Sequence, residues 1–135
     1  MGNKVWVNGT FDILHSGHFK LINFAASHGK LIIGIDSDRR VREKKGESRP
    51  YHNQFERMYN LMSIKNVYDV IVFDSDEELI NIIKRNNPDY FIIGSDYKNK
   101  EIIGSDYAKE IVFFERTDHS TTQIINLWDT NNYQK

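Results

Sequence analysis

Lys4-Val5-Trp6-Val7-Asn8-Gly9-Thr10-Phe11-Asp12-Ile13-Leu14-His15-Ser16-Gly17-His18 is the stretch on which the fold turns. A short apolar run, Lys4–Val7, stops at the Asn8-Gly9 turn signal, and a helix opens near Gly17. That order is the first strand-turn-helix step of a parallel sheet, with the turn at the carboxyl end of its strand. Beyond Gly17, residues Phe19, Ile22 and Ala26 share one helical face, and Gly29 provides a stop.

The same alternation continues outward from this unit. Leu31–Ile35 reads as a second buried strand, leading into Asp36-Ser37-Asp38 and a short polar helix. Lys44 to Pro50 reads as a charged loop. Asn53 with Glu56 forms a capping box that opens a helix, with Phe55, Met58 and Met62 expected to face inward. Val70–Phe73 is the third strand. Ser75 with Glu78 is a second capping box, before a helix with Leu79, Ile82 and Ile83 inward and Asn86-Asn87-Pro88 at its end. Tyr90–Ile93, closed by Gly94, is the fourth strand and Ile111–Phe114 the fifth. Ser120 is placed to cap a last helix carrying Ile124, Ile125 and Trp128. Continuous apolar strands separated by helices predict a parallel sheet covered on both faces. The expected fold class is α/β: a single Rossmann-like, doubly wound domain over residues 1–128 with a five-stranded parallel sheet, then a polar tail over 129–135.

Composition narrows the function classes. The 135 residues fit one compact domain, and the formal net charge of -1, with both signs interspersed, gives no basic footprint for nucleic acid. The absence of cysteine excludes a disulfide framework and thiolate metal sites. It suits a reducing compartment, and with no apolar leader at the N-terminus and no long apolar run the expected location is cytoplasmic, away from membranes.

In a parallel sheet the segments after the strands converge on one edge. Here they carry Gly9-Thr10-Phe11-Asp12 with His15 and His18, then Gly94-Ser95-Asp96, then Arg116-Thr117 with Ser120-Thr121-Thr122. Histidines, an arginine, hydroxyls and helix N-termini together suit a polyphosphate. His15 and His18, three apart at a helix start, can present both rings on one side, and Gly17 between them permits close backbone approach. A zinc site is the weaker reading, because no Glu stands between the histidines as in H-E-x-x-H.

The motif Gly9-Thr10-Phe11-Asp12-Ile13-Leu14-His15-Ser16-Gly17-His18 resembles that of the cytidylyltransferase-like nucleotidyltransferases, and the resemblance covers nearly the whole chain. Ser37-Asp38, Lys45 to Pro50, Glu56-Arg57-Met58, Gly94 to Ser105 and Ser120 to Ile125 resemble the heptose-1-phosphate adenylyltransferase branch. Arg116-Thr117 before Ser120-Thr121-Thr122 is similar instead to the glycerol-3-phosphate cytidylyltransferase branch, with one residue fewer in the loop. The resemblance implies transfer of a nucleotidyl group from a nucleoside triphosphate to a phosphorylated sugar or polyol, with loss of pyrophosphate. It implies His15, His18, Lys45 and Arg57 as catalytic residues, and Gly9, Thr10, Phe11, Lys44, Gly94, Asp96, Arg116, Ser120 and Thr121 as further nucleotide-binding residues. It also implies a Mg²⁺ ion held mostly through phosphate oxygens and water, no metal site made by the protein itself, and allows a homodimer. ATP and CTP both remain open as donors, and a non-catalytic nucleotide-binding module is the alternative of a different class.

Overall fold

The computed structural model of the protein describes residues 2–97 and 100–115, the side chain of Asp96 excepted. The expected last helix, with Arg116, Ser120 and Thr121, and the polar tail from 129 lie outside the described residues. Strand β1 spans Lys4–Gly9, helix α1 Ser16–Ala26, strand β2 Lys30–Asp36 and helix α2 Asp38–Lys45. Helix α3 follows at Gln54–Met62, strand β3 at Val67–Phe73, helix α4 at Asp76–Asn86, strand β4 at Tyr90–Gly94 and strand β5 at Glu110–Phe114. All strand pairs are parallel, in the order β3-β2-β1-β4-β5. The expected five-stranded Rossmann-like sheet is therefore present.

Alternation along the strands divides the core in two. Val5 and Val7 of β1 face Ile22 and Ala25 of α1 and Leu61 of α3. Trp6, between them, faces the other way with Leu79, Ile82 and Ile83 of α4. The indole of Trp6 is fully buried and donates from Nε1 to Asn8 Oδ1 at 2.9 Å. It lies against Gly34 of β2 so closely that a Cβ there would sit 2.5 Å from Trp6 Cζ2. Gly34→Ala is accordingly expected to destabilise the domain by about 1–3 kcal/mol through overpacking. The urea midpoint should fall with an unchanged m-value; an unchanged midpoint would show that the indole can move aside.

Several local expectations need correction. Phe19 of α1 is 42% exposed, since the inward face of that helix runs through Ile22 and Ala25. Phe55 and Met62 of α3 are also exposed, and the buried residues are Arg57 and Leu61. Met58, the third residue expected inward, does pack against the core, so the inward face is rotated toward a stripe containing a buried arginine. The α3 capping box is as expected: Asn53 Oδ1 accepts from Glu56 N at 2.9 Å, and Glu56 Oε1 from Asn53 N. At α4, Ser75 caps Glu78 N, but the Glu78 carboxylate accepts from Asp74 N, so the reciprocal half is displaced by one residue. The run Lys44 to Pro50 is not wholly a loop. Lys44 and Lys45 complete the last turn of α2, because Arg, Glu and Lys sustain a helix until Gly46, at φ 101°, ends it.

Candidate active site

Strands β1 and β4 are the neighbours at which the chain order of the sheet reverses. Their register partners end at Trp6↔Phe91, while β1 continues to Gly9 and β4 to Gly94. The two strands thus part toward their carboxyl ends, where doubly wound sheets bind ligands. A cleft of about 850 Å³ opens there. The last residues of all five strands, Gly9, Asp36, Phe73, Gly94 and Phe114, line it.

The turn leaving β1 is tightly formed. Phe11 adopts φ 51°, a left-handed conformation rare for an aromatic residue. Its ring lies over Gly9, where a Cβ would come within 3.2 Å of Phe11 Cε2, and 5.4 Å from the His18 ring. Gly9 is the residue that permits this stacking.

His15 and His18 form the N-terminal cap of α1, a place usually held by Ser, Thr, Asp or Asn. Gly17 N donates to His15 Nδ1 at 3.0 Å, and His15 N donates to His18 Nδ1 at 3.2 Å. The ring centroids are 4.1 Å apart. Because each Nδ1 accepts a backbone N–H, the proton of each neutral ring sits on Nε2. The helix start therefore sets the tautomer of both histidines and places two like donors at one wall of the cleft, beside the amide ends of α1.

A second stretch of the lining is cationic. Lys44 and Lys45, from the end of α2, and Arg49 line the cleft. Asp12, only 3% exposed, ties this stretch to the β1 turn: Oδ2 accepts from Tyr51 N at 2.8 Å and Oδ1 from His52 N at 2.9 Å. These partners lie about forty positions away in the chain.

Arg40 is a cleft residue that the sequence reading missed. Its Nε donates to Asp36 Oδ1 at 2.8 Å, its Nη2 pairs with Asp76, and its guanidinium lies over the Phe73 ring. Burial opposes its charge, but the hydrogen bonds to Asp76 and Asp36 outweigh that and raise its pKa. Asp36 also accepts from Thr10 Oγ1 at 3.4 Å, joining the ends of β1 and β2. An acid closing a parallel strand with an arginine four residues on, Asp36 and Arg40, was the available sequence signal.

Arg57, expected to project into the site, does not line the cleft. It is 0% exposed. Its Nη1 donates to Thr10 O at 3.0 Å and Asp36 O at 2.7 Å, Nε to His52 O at 3.0 Å, and Nη2 to Asp38 Oδ1 at 2.8 Å. It is a clamp behind the cleft, holding the ends of β1 and β2 and the entry to α3. Gly9, Thr10, Phe11, His15, His18, Lys44, Lys45 and Gly94 all line the cleft, whereas Arg116, Ser120, Thr121 and the Asp96 side chain are not described. No helix among the described residues is long and apolar enough to cross a membrane.

Comparison with known proteins agrees with this architecture. Residues 6–127 match the family described as cytidylyltransferase-like. The bifunctional protein HldE of a Nitratiruptor species is 45% identical over 125 residues, covering 90% of this chain and 26% of that protein. That of Aliarcobacter butzleri is 42% identical over 130 residues, covering 93% of this chain and 27% of that protein. The chain spans about a quarter of the length of these curated relatives. The crystal structure of the lipopolysaccharide core biosynthesis protein from Thermoplasma volcanium superposes with a TM-score of 0.72 at 22% identity, covering 86% of this chain and 98% of that one, which shows a shared fold. With a matching family model over most of its length and the strand-end histidine cleft in place, the chain belongs to the cytidylyltransferase-like family of nucleotidyltransferases.

Proposed function

We propose that this domain transfers a nucleoside monophosphate from a nucleoside triphosphate to the phosphate of a phosphorylated sugar or polyol, with ATP and heptose 1-phosphate as the preferred pair. The observation that carries the reading is the pair of Nε2–H histidines capping α1 in a strand-end cleft that Lys44, Lys45 and Arg49 also line. A phosphate oxygen of the acceptor attacks the α-phosphorus in line. The new O–P bond forms as the α–β bridging bond breaks, and pyrophosphate leaves with that bridging oxygen. The attacking oxygen is already anionic, so no strong general base is required. The task of the protein is to align two anions and to neutralise charge as it grows on the α-phosphate. His15 and His18 donate to those oxygens, the amide end of α1 adds a positive field, and Lys44 and Lys45 offset the repulsion between acceptor and triphosphate.

A Mg²⁺ ion fits this cleft as a passenger on the triphosphate. The oxygens of Asp12 and Asp36 are engaged by protein donors, and among the described residues no three histidine or carboxylate side chains converge on one point. When bound, the ion supplies charge neutralisation on the leaving pyrophosphate. The resemblance of Ser37-Asp38, Lys45 to Pro50 and Glu56-Arg57-Met58 to the heptose-1-phosphate adenylyltransferase branch favours ATP and a heptose phosphate. A matrix of ATP, CTP, GTP and UTP against heptose 1-phosphate and glycerol 3-phosphate, read by pyrophosphate release, tests the pair. Turnover with ATP and heptose 1-phosphate is the expected result. Activity with CTP and glycerol 3-phosphate alone would replace the substrates and keep the chemistry, and nucleotide binding with no turnover of any pair would leave a non-catalytic module.

A further inference from the structure

We infer that Arg49 is the residue that grips the phosphate of the acceptor. The inference rests on the reading of the cleft as a nucleotidyl-transfer site and deepens it by assigning one of its two anions. The guanidinium groups at the cleft differ in how far their donors are already used. Arg40 and Arg49 are the arginines among the described residues that line the cleft. Arg40 is committed on both sides, to Asp36 and to Asp76. Arg57, behind the cleft, is committed through all three nitrogens.

Arg49 is bound differently. Its Nε approaches Asp12 Oδ2 at 3.4 Å, and its guanidinium carbon lies 4.8 Å from the centroid of the Tyr51 ring. Neither Nη1 nor Nη2 has a hydrogen-bond partner among the described residues, although the side chain is only 16% exposed. The fork is thus oriented from behind by an aspartate, stacked on an aromatic face and largely withdrawn from solvent, with two parallel donors to spare. That is the arrangement that receives a phosphate oxygen pair in bidentate fashion.

Position indicates which phosphate. The histidines belong to the β1–α1 segment, whereas Arg49 enters from the segment after α2, whose last turn supplies Lys44 and Lys45. In-line transfer requires the attacking anion and the triphosphate to approach from different sides. The cationic stretch therefore takes a dianionic phosphomonoester. Asp12 couples the two segments, since it lies in the turn that leads to His15 while holding Tyr51 and His52 by their amides.

The test uses Arg49→Lys and Arg49→Gln in the whole chain. Lysine keeps a cation beside the buried Asp12 carboxylate, so it guards against simple misfolding, which thermal melting will monitor. In steady state both variants should raise the KM for the phosphorylated acceptor by at least about tenfold and leave the KM for the triphosphate within about twofold, the loss expected for a charge-assisted bidentate contact. A second measurement does not depend on turnover. The protein is first saturated with the non-reacting α,β-methylene analogue of ATP, and inorganic phosphate is then titrated by calorimetry. Wild type should bind phosphate under these conditions, and Arg49→Gln should bind it at least about tenfold more weakly. Absence of turnover by wild type on every substrate pair would defeat the proposed reaction, and the phosphate titration would still decide the role of Arg49. Equal phosphate binding by wild type and both variants, no phosphate binding by wild type, or weakened binding of the nucleotide analogue with phosphate unaffected would each overturn the assignment.

Discussion

His18→Ala is expected to lower kcat by about 10²–10³-fold while changing the KM for the nucleoside triphosphate little, the usual result of deleting a donor aimed at developing phosphate charge. His18 Nδ1 accepts the amide of His15, which places the ring proton on Nε2. The ring is held between those of Phe11 and His15, with centroids 5.4 and 4.1 Å away. Its donor is thus oriented before substrate arrives, so little reorganisation is left for the reaction itself. His15→Ala serves as the matched comparison. His15 is the N-cap of α1 and accepts Gly17 N, so its loss should reduce kcat and also cost about 1 kcal/mol of stability. His18→Ala should therefore melt nearer to wild type than His15→Ala, with a comparable kinetic defect. Pyrophosphate release and thermal melting on the two variants check both statements. Retention of kcat within about threefold in His18→Ala would mean that the histidines serve as caps alone, because that loss is below what one oriented donor contributes.

The fold and half of the cleft were legible in the chain because they rest on short-range rules. The apolar runs of β2 and β4, the Asn-Gly signal at the end of β1 and the capping residues Asn53 and Ser75 each act within a few positions. Asn87 closes α4 in the left-handed conformation, φ 48°, just before Pro88, as its neighbours suggest. His15 and His18 were legible for the same reason: their placement follows from the helix start alone. What was not legible depends on partners far along the chain. Asp12 is satisfied by amides at Tyr51 and His52, Asp36 by Arg40 and Thr10, and Arg40 by Asp76. The inward face of α3 was misread because hydrophobicity favours Phe55 and Met62, whereas the helix buries Arg57 with Leu61. Only the demand of the carboxyl ends of β1 and β2 for donors explains that preference. Their carbonyls leave the sheet ladder at Thr10 and Asp36 and need partners where water is excluded.

That demand leads to the second large expected effect. Arg57→Met should destabilise the domain by about 3–5 kcal/mol, because it removes a buried cation and leaves its acceptors unsatisfied. The methionine replaces much of the volume, so the loss measures donors rather than a cavity. Four acceptors lose their partner at once: the carbonyl oxygens of Thr10, Asp36 and His52, and the Asp38 carboxylate. Arg57→Lys separates this clamp from a substrate contact. A lysine keeps the charge, but its donors radiate from one nitrogen and cannot span acceptors that the guanidinium reaches from three. For a clamp, Arg57→Lys should lie between wild type and Arg57→Met in denaturant midpoint. Saturating nucleotide should restore part of the loss, because a ligand that binds only the folded cleft stabilises it by mass action. For a residue that touches phosphate, the lysine variant would melt like wild type and bind nucleotide weakly. Denaturant titrations of both variants with and without ATP distinguish the two, and a wild-type midpoint for Arg57→Lys with weakened ATP binding would return Arg57 to the catalytic set.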